Sequence, residues 1–119
     1  MNTHVFDQAI ALTPTGPHHY SGATSPAYGN MVGPFGGVTA AVVMQSVMQH
    51  VQRLGEPISL TVNYAAALAD GPFSLTARPV RTNRSTQHWV MDITQPDANG
   101  EPTTVITATA VTAARRETW

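Results

Sequence analysis

The stretch Asn30–Gln45, NMVGPFGGVTAAVVMQ, runs a glycine-rich, uncharged segment straight into the most helix-like part of the chain. Together with Gly29 it holds four of the nine glycines. From Val38 onward, Val38, Ala41, Val42, Gln45, Met48 and Val51–Gln52 follow helical spacing. Val43, Met44 and Val47 make much of the remaining circumference apolar. A helix apolar on most faces is buried rather than laid on a surface, and Leu54-Gly55 suits its C-terminal cap. The glycines ahead of it either permit tight packing or let backbone N–H groups come close to a ligand.

Length and composition narrow the possibilities. The 119 residues make a single domain, 1–119, with 42% hydrophobic residues to build a core. A net charge of −1 argues against nucleic acid as a partner. The absence of cysteine excludes disulfides, thiolate nucleophiles and cysteine metal sites. The start MNTHVFDQ is not a signal peptide. Gln45, Ser46, Gln49 and His50 interrupt the best candidate for a membrane span. The expected location is therefore the cytoplasm. Between Asp7 and Arg53 there is no charged side chain, whereas Arg78, Arg81, Arg84, Arg115 and Arg116 fall late. The first half reads as interior plus an apolar pocket, and the arginines as the rim of a site.

The rest of the chain reads mostly as strands. Phe6–Leu12 suggests a short strand, Thr13–Pro17 a turn, and 18–23 a second strand. After the helix, Ile58, Leu60, Val62, Tyr64 and Ala66 alternate with Ser59, Thr61, Asn63 and Ala65, a period of two. Phe73, Leu75 and Ala77 repeat the pattern beyond the Asp70-Gly71-Pro72 turn. Trp89, Met91 and Ile93 face one way on the next strand, past Thr82-Asn83. Asp97–Gly100 marks a hairpin, and Val105–Ala113 a last strand. One buried helix followed by a four-stranded antiparallel meander is an α+β layering. An antiparallel sheet wrapped around one long central helix is the hotdog fold.

The motifs in their order resemble those of the acyl-CoA thioesterase superfamily, above all the N-terminal half of TesB-like double-hotdog thioesterases. The residues that carry the resemblance are Gly36-Gly37 opening the helix, Ser59 to Tyr64, the Gly71-Pro72 turn and Arg84-Ser85 in the next hairpin. The resemblance implies that an acyl thioester, acyl-CoA for instance, binds where a backbone N–H at the helix start polarises its carbonyl. A helix N-terminus offers unpaired donors and a positive dipole for such charge. Gly36 and Gly37 are the implied donors. Asn30 invites comparison with PaaI-like single-hotdog enzymes, although one residue fewer separates it from the glycine pair and Phe35 stands where that family has histidine. Coenzyme A enters as part of the substrate; no cofactor or metal is expected.

Hydrolysis needs a base or nucleophile, commonly a carboxylate. PaaI-like enzymes carry it seven residues after the second glycine, where this chain has Met44. The second half of TesB-like enzymes carries an Asp at the start of the strand after the helix, where this chain has Ser59. Ser59 and Thr86 lie near positions that are polar and catalytic in that half. Phe35, Met44, Met48 and Tyr64 are candidates to line an acyl channel, and Arg81 and Arg84 to meet coenzyme A phosphates. The plainer readings are core for the methionines and a solvated hairpin for the arginines. His88 and Asp92 share a strand face that reads as solvent or interface, and no His/Asp/Glu spacing suggests a metal site. The leading reading is a thioester hydrolase domain. A non-catalytic hotdog half that completes a partner's pocket competes with it, and a hydratase lacks its Asp/His pair. An exposed edge strand calls for a second copy, so a homodimer or dimer of dimers is expected.

Overall fold

Valine, isoleucine and threonine crowd the second half of the chain, and β-branched residues fit a half-buried pleated surface better than a helix. The structure, a computed structural model, describes residues 10–24, 29–30, 33–34, 36–66, 68–69 and 71–114. Its strands are β1 (Thr13–Gly16), β2 (His19–Ala23), β3 (Gly29–Asn30), β4 (Gly33–Pro34), β5 (Glu56–Tyr64), β6 (Pro72–Thr82), β7 (Thr86–Pro96) and β8 (Pro102–Ala113), and its helix is α1 (Gly36–Met48). Among the described residues six strands form one antiparallel sheet in the order β1-β2-β6-β7-β8-β5, and β3 pairs with β4 in a small separate ribbon.

The register explains how the sheet accepts a helix. Opposed residues form rows across one face: Tyr20, Leu75, Ile93, Ile106; then Ala77, Met91, Ala108, Val62; then Trp89, Ala110, Leu60. Alanines at 77, 108 and 110 leave space for a backbone to approach, and the bulk of Trp89 and Met91 fills the flanks. Val42, Val43 and Val47 of α1 complete this core. The helix touches β5, β6 and β7, yet β5 is separated from β6 by two strands. Only a sheet curled around the helix makes all three contacts, which is the hotdog arrangement.

Four expectations need correction. The four strands after the helix are not a simple meander, because β5 pairs with β8 at the far edge rather than with β6. Crossing to that edge is what closes the wrap. Second, α1 ends at Met48, not near Leu54-Gly55. His50 N bonds Val47 O at 3.1 Å, Gln52 N bonds the His50 ring at 3.1 Å, and the Gln87 side chain takes Leu54 N at 2.7 Å. These bonds compete successfully with another helical turn, and Val51 ends 97% exposed. Third, β1 occupies residues expected to turn, while Ile10–Leu12 are not strand and Phe6–Ala9 lie outside the described residues. Pro14 is tolerated because β1 is an edge strand. The turn comes later at Pro17-His18, where a proline followed by a positive φ of 64° at His18 matches a type II turn. Being wholly exposed, β1 also departs from the reading of the uncharged first half as interior.

Fourth, Ile58 and Tyr64 are 62% and 54% exposed although their period matches the half-buried Leu60 and Val62. An edge strand has no neighbour to cover its ends. Two turns match their signals: Thr82 ends β6, and Asp97 Oδ1 accepts bonds from Asn99 N and Glu101 N in the β7–β8 hairpin.

Gly55 and Gly100 both hold left-handed backbones, at φ 75° and 80°. A Cβ on Gly55 would run into the Ala113 carbonyl, whereas one on Gly100 meets nothing. Gly55→Ala should therefore cost roughly 2–4 kcal/mol, and Gly100→Ala only about 1 kcal/mol of backbone strain. Urea unfolding of the two variants beside the wild type measures the difference, and equal losses would show that the β5–β8 junction has room to yield.

Candidate functional site

The glycine pair forms the first two residues of α1. The β3–β4 ribbon, with Asn30 opposite Gly33 and Gly29 opposite Pro34, delivers the chain to that point. The first amides of a helix lack intrahelical partners, and the dipole adds positive character to them. No acidic side chain stands in the first turn to occupy them. A helix start of this kind can accept a carbonyl oxygen or an anion. Phe35, His4 and Asp70 lie outside the described residues.

The other candidates fall elsewhere. Met44 is half-buried and packs against the core, where a carboxylate would be costly to desolvate. Met48, one turn further, meets Arg53 Nη1 at 3.5 Å through its sulfur. Ser59 is exposed on β5 beside a bulge, and because Leu60 points into the core, Ser59 lies on the opposite face of the strand. Tyr64 ends the same strand, half-exposed and opposite Ile106. Thr86 opens β7 and accepts a bond from Asn83 Nδ2 at 3.1 Å. Arg81, exposed, donates from Nε to Asn83 Oδ1 at 2.8 Å, and Arg84 is exposed at the tip of the same hairpin.

That hairpin sits at the wrong end to serve this chain's own glycines. Gln87, next to Thr86, grips the Gln52 carbonyl and Leu54 N just past the end of α1. The helix has thirteen residues, so its two ends are roughly 20 Å apart. Within one chain Arg81, Arg84 and Thr86 therefore cluster with one another but not with Gly36-Gly37. His88 is exposed and Asp92 half-buried on the outer face, as their spacing suggested. Among the described residues no group of three or more potential metal ligands occurs.

Three side chains escaped the sequence reading. Gln87 and Gln95 are buried on the face of Trp89, Met91 and Ile93. Extending that alternation by one step in each direction would have found them. Gln95 clamps the β5–β6 connection by bonding Ala69 N and the Ala69 carbonyl, each at 2.9 Å. His50, 7% exposed, meets His18 across the fold at 2.8 Å between Nε2 and Nδ1 and sets its ring against Trp89. Burial, and then the charge of His18, lower its pKa below the ordinary 6.5. Nothing in the sequence links positions 18 and 50. Near this pair Pro14, Tyr20, Gln49 and Gln52 help to line a cleft of about 240 Å³. Another cleft, of about 340 Å³, carries Ser21, Ser74, Thr94 and Gln95 but no titratable group.

Comparison with known proteins gives this geometry a family. The model of the acyl-CoA thioesterase N-terminal domain matches residues 25–113. No curated protein matches the chain. A hot dog fold protein of unknown function from Alicyclobacillus acidocaldarius is 49% identical with a TM-score of 0.88, over 99% of this chain and 42% of that one. The acyl-CoA thioesterase II TesB2 from Mycobacterium marinum is 17% identical with a TM-score of 0.72, over 94% and 40%. A mutant of the phenylacetic acid degradation protein PaaI from Thermus thermophilus is 15% identical with a TM-score of 0.74, over 92% and 98%. At such identities the last two speak for the fold alone. The chain spans less than half the length of the first two. With a matching model over three quarters of its length and a sheet wrapped on one helix, the chain belongs to the acyl-CoA thioesterase N-terminal domain family.

Proposed function

We propose that this domain binds an acyl thioester at the start of α1 and serves in its hydrolysis as the half that supplies the carbonyl-polarising amides. The observation that carries the reading is the glycine pair at the open end of a buried, acid-free helix in a chain of this family. Gly36 and Gly37 present N–H groups without a Cβ in the way of the acyl carbonyl. Met44, and Phe35 by its place in the sequence, are the residues proposed to line the acyl group. Arg81 and Arg84 meet coenzyme A phosphates only if a second hotdog brings its hairpin to this helix start.

Two features favour a domain that does not hydrolyse alone. Met44 and Ser59 stand where the family resemblance puts a carboxylate, and Ser59 faces away from its own helix. Moreover β5 is an edge strand among the described residues, with Ile58 and Tyr64 exposed to solvent, the kind of strand that extends across to another sheet. A second hotdog, as another copy of this chain or as the remaining length that its relatives possess, completes the site in this reading. The isolated chain is proposed to associate as a homodimer or dimer of dimers.

Three measurements test this. Light scattering at micromolar concentration should give at least twice 12.7 kDa, and Ile58→Lys should shift it toward the monomer. Gly37→Val should abolish binding of a non-hydrolysable acyl-CoA analogue while far-UV circular dichroism stays near native; unchanged binding would make the glycines packing devices. In a thiol-release assay the chain should turn over slowly or not at all, because a general base contributes about 10²–10⁴-fold and a carbonyl donor alone about 10²–10³-fold. Ser59→Asp should cost little stability, since the position is exposed, and should raise that rate only if a second copy brings its helix start to this outer face in a TesB-like geometry. Met44→Asp should unfold the domain first. Rapid wild-type turnover would mean that a base other than these two positions is at work.

A further inference from the structure

The β1–β2 hairpin is fastened to the far end of α1 by two histidines whose tautomers the backbone dictates. Gln52 N–H donates to His50 Nδ1 at 3.1 Å, so that nitrogen carries no proton. A neutral imidazole then holds its hydrogen on Nε2, which faces His18 Nδ1 at 2.8 Å. His50 is accordingly the donor and His18 the acceptor. The rings are near-parallel with centroids 5.0 Å apart, which is about the bond length plus two ring radii, so they meet edge to edge rather than face to face. His18 also stands at φ 64°, a conformation that costs free energy outside glycine, with its carbonyl accepting Ala77 N at 2.9 Å. Side chain and backbone thus hold the turn from opposite sides.

No protonated version of the pair keeps both the His18–His50 bond and the Gln52 N–H bond. A second proton on His18 puts N–H against His50 Nε2–H; the alternative tautomer of His50 would accept from it, but only by pushing Nδ1–H at the Gln52 amide. The same constraint disfavours a metal ion on Nε2, because a metal-bound neutral imidazole carries its proton on Nδ1. The surroundings offer an imidazolium no counter-charge. The hairpin contributes His18 and Tyr20, the end of α1 and its turn contribute Gln49, Val51 and Gln52, and β7 contributes Trp89. Among the described residues no carboxylate or guanidinium lines this cleft, and Arg53 is held by Met48 Sδ, the Gly55 carbonyl and Glu56.

We propose that the His18–His50 bond is a proton-sensitive latch: it holds the β1–β2 hairpin on the α1 end at neutral pH and releases it in mild acid, opening the cleft between them. The sign agrees with the environment of His50. Burial lowers its pKa below 6.5, so the neutral ring stabilises the fold fully above that value, and the contribution is lost as pH falls below it.

Nitrogen-detected NMR of the imidazoles and amide protection factors, corrected for intrinsic exchange, test the latch in the 119-residue chain. At pH 7.5 His50 should carry its proton on Nε2, and the amides of 19–22 and 52–54 should be protected. Between pH 6.5 and 5 their protection should fall at least tenfold while the amides of 89–93 stay protected. In His50→Gln, whose amide carries no titratable proton and donates from its NH2 to neutral His18 while its carbonyl accepts from Gln52 N–H, that step should disappear. His18→Gln, at a half-buried turn position, should do the same and guards against a folding failure at the more buried His50. A proton on His50 Nδ1 at pH 7.5, hairpin protection that does not change with pH, or an undiminished step in both variants would overturn the proposal.

Discussion

The burial of α1 is the constraint on which the rest of the structure depends. Val42, Val43 and Val47 cannot be satisfied by a sheet that touches one side of a helix, so the sheet must curl until β5 and β6 both reach it. Curling requires small residues beneath the helix and large ones beside it, which is how Ala77, Ala108 and Ala110 are set among Trp89, Met91 and Ile106. It also requires β5 to join the far edge beside β8, because a strand paired with β6 would leave the helix open on that side. The price is a helix rich in β-branched residues, which lose rotamer freedom in helical backbone and hold it only through packing.

A buried helix leaves two ends to be resolved, and this chain resolves them differently. The far end is fastened by polar side chains on the sheet. Gln87 takes Leu54 N and the Gln52 carbonyl, and Trp89 Nε1 donates to Thr112 Oγ1 beside it. Among the described residues no buried side-chain nitrogen or oxygen lacks a partner. Such bonds add little net stability each but exclude alternatives, since leaving one member unpaired costs about 1–3 kcal/mol. The near end opens on a glycine pair with no acidic side chain in its first turn.

Charge and topology place the two groups of candidate residues apart. The amides at Gly36-Gly37 and the arginines of the β6–β7 hairpin sit at opposite ends of one helix. The proposed function therefore calls for a second sheet, joined at β5. Relatives more than twice as long as this chain accord with that reading.

Much of this was legible in the sequence. Period-two alternation in 72–78 and 89–93 decided which faces are buried, because a strand shows its two faces in strict turn. The all-round apolar helix after a glycine pair decided the wrap, and Asp97–Gly100 decided a hairpin through its own side-chain bonds. The glycine pair was likewise readable as the start of the helix. Tertiary structure alone decided the rest. The same alternation in 58–64 could not say that Ile58 and Tyr64 stay exposed, because an edge position depends on which strands pair. Helical periodicity ran on through Val51, but Gln87, 33 residues beyond Leu54, captured the backbone and stopped the helix at Met48. The meeting of His18 with His50 has the same origin: local pattern reports the faces of an element, whereas contacts across 32 residues exist only once the elements have packed.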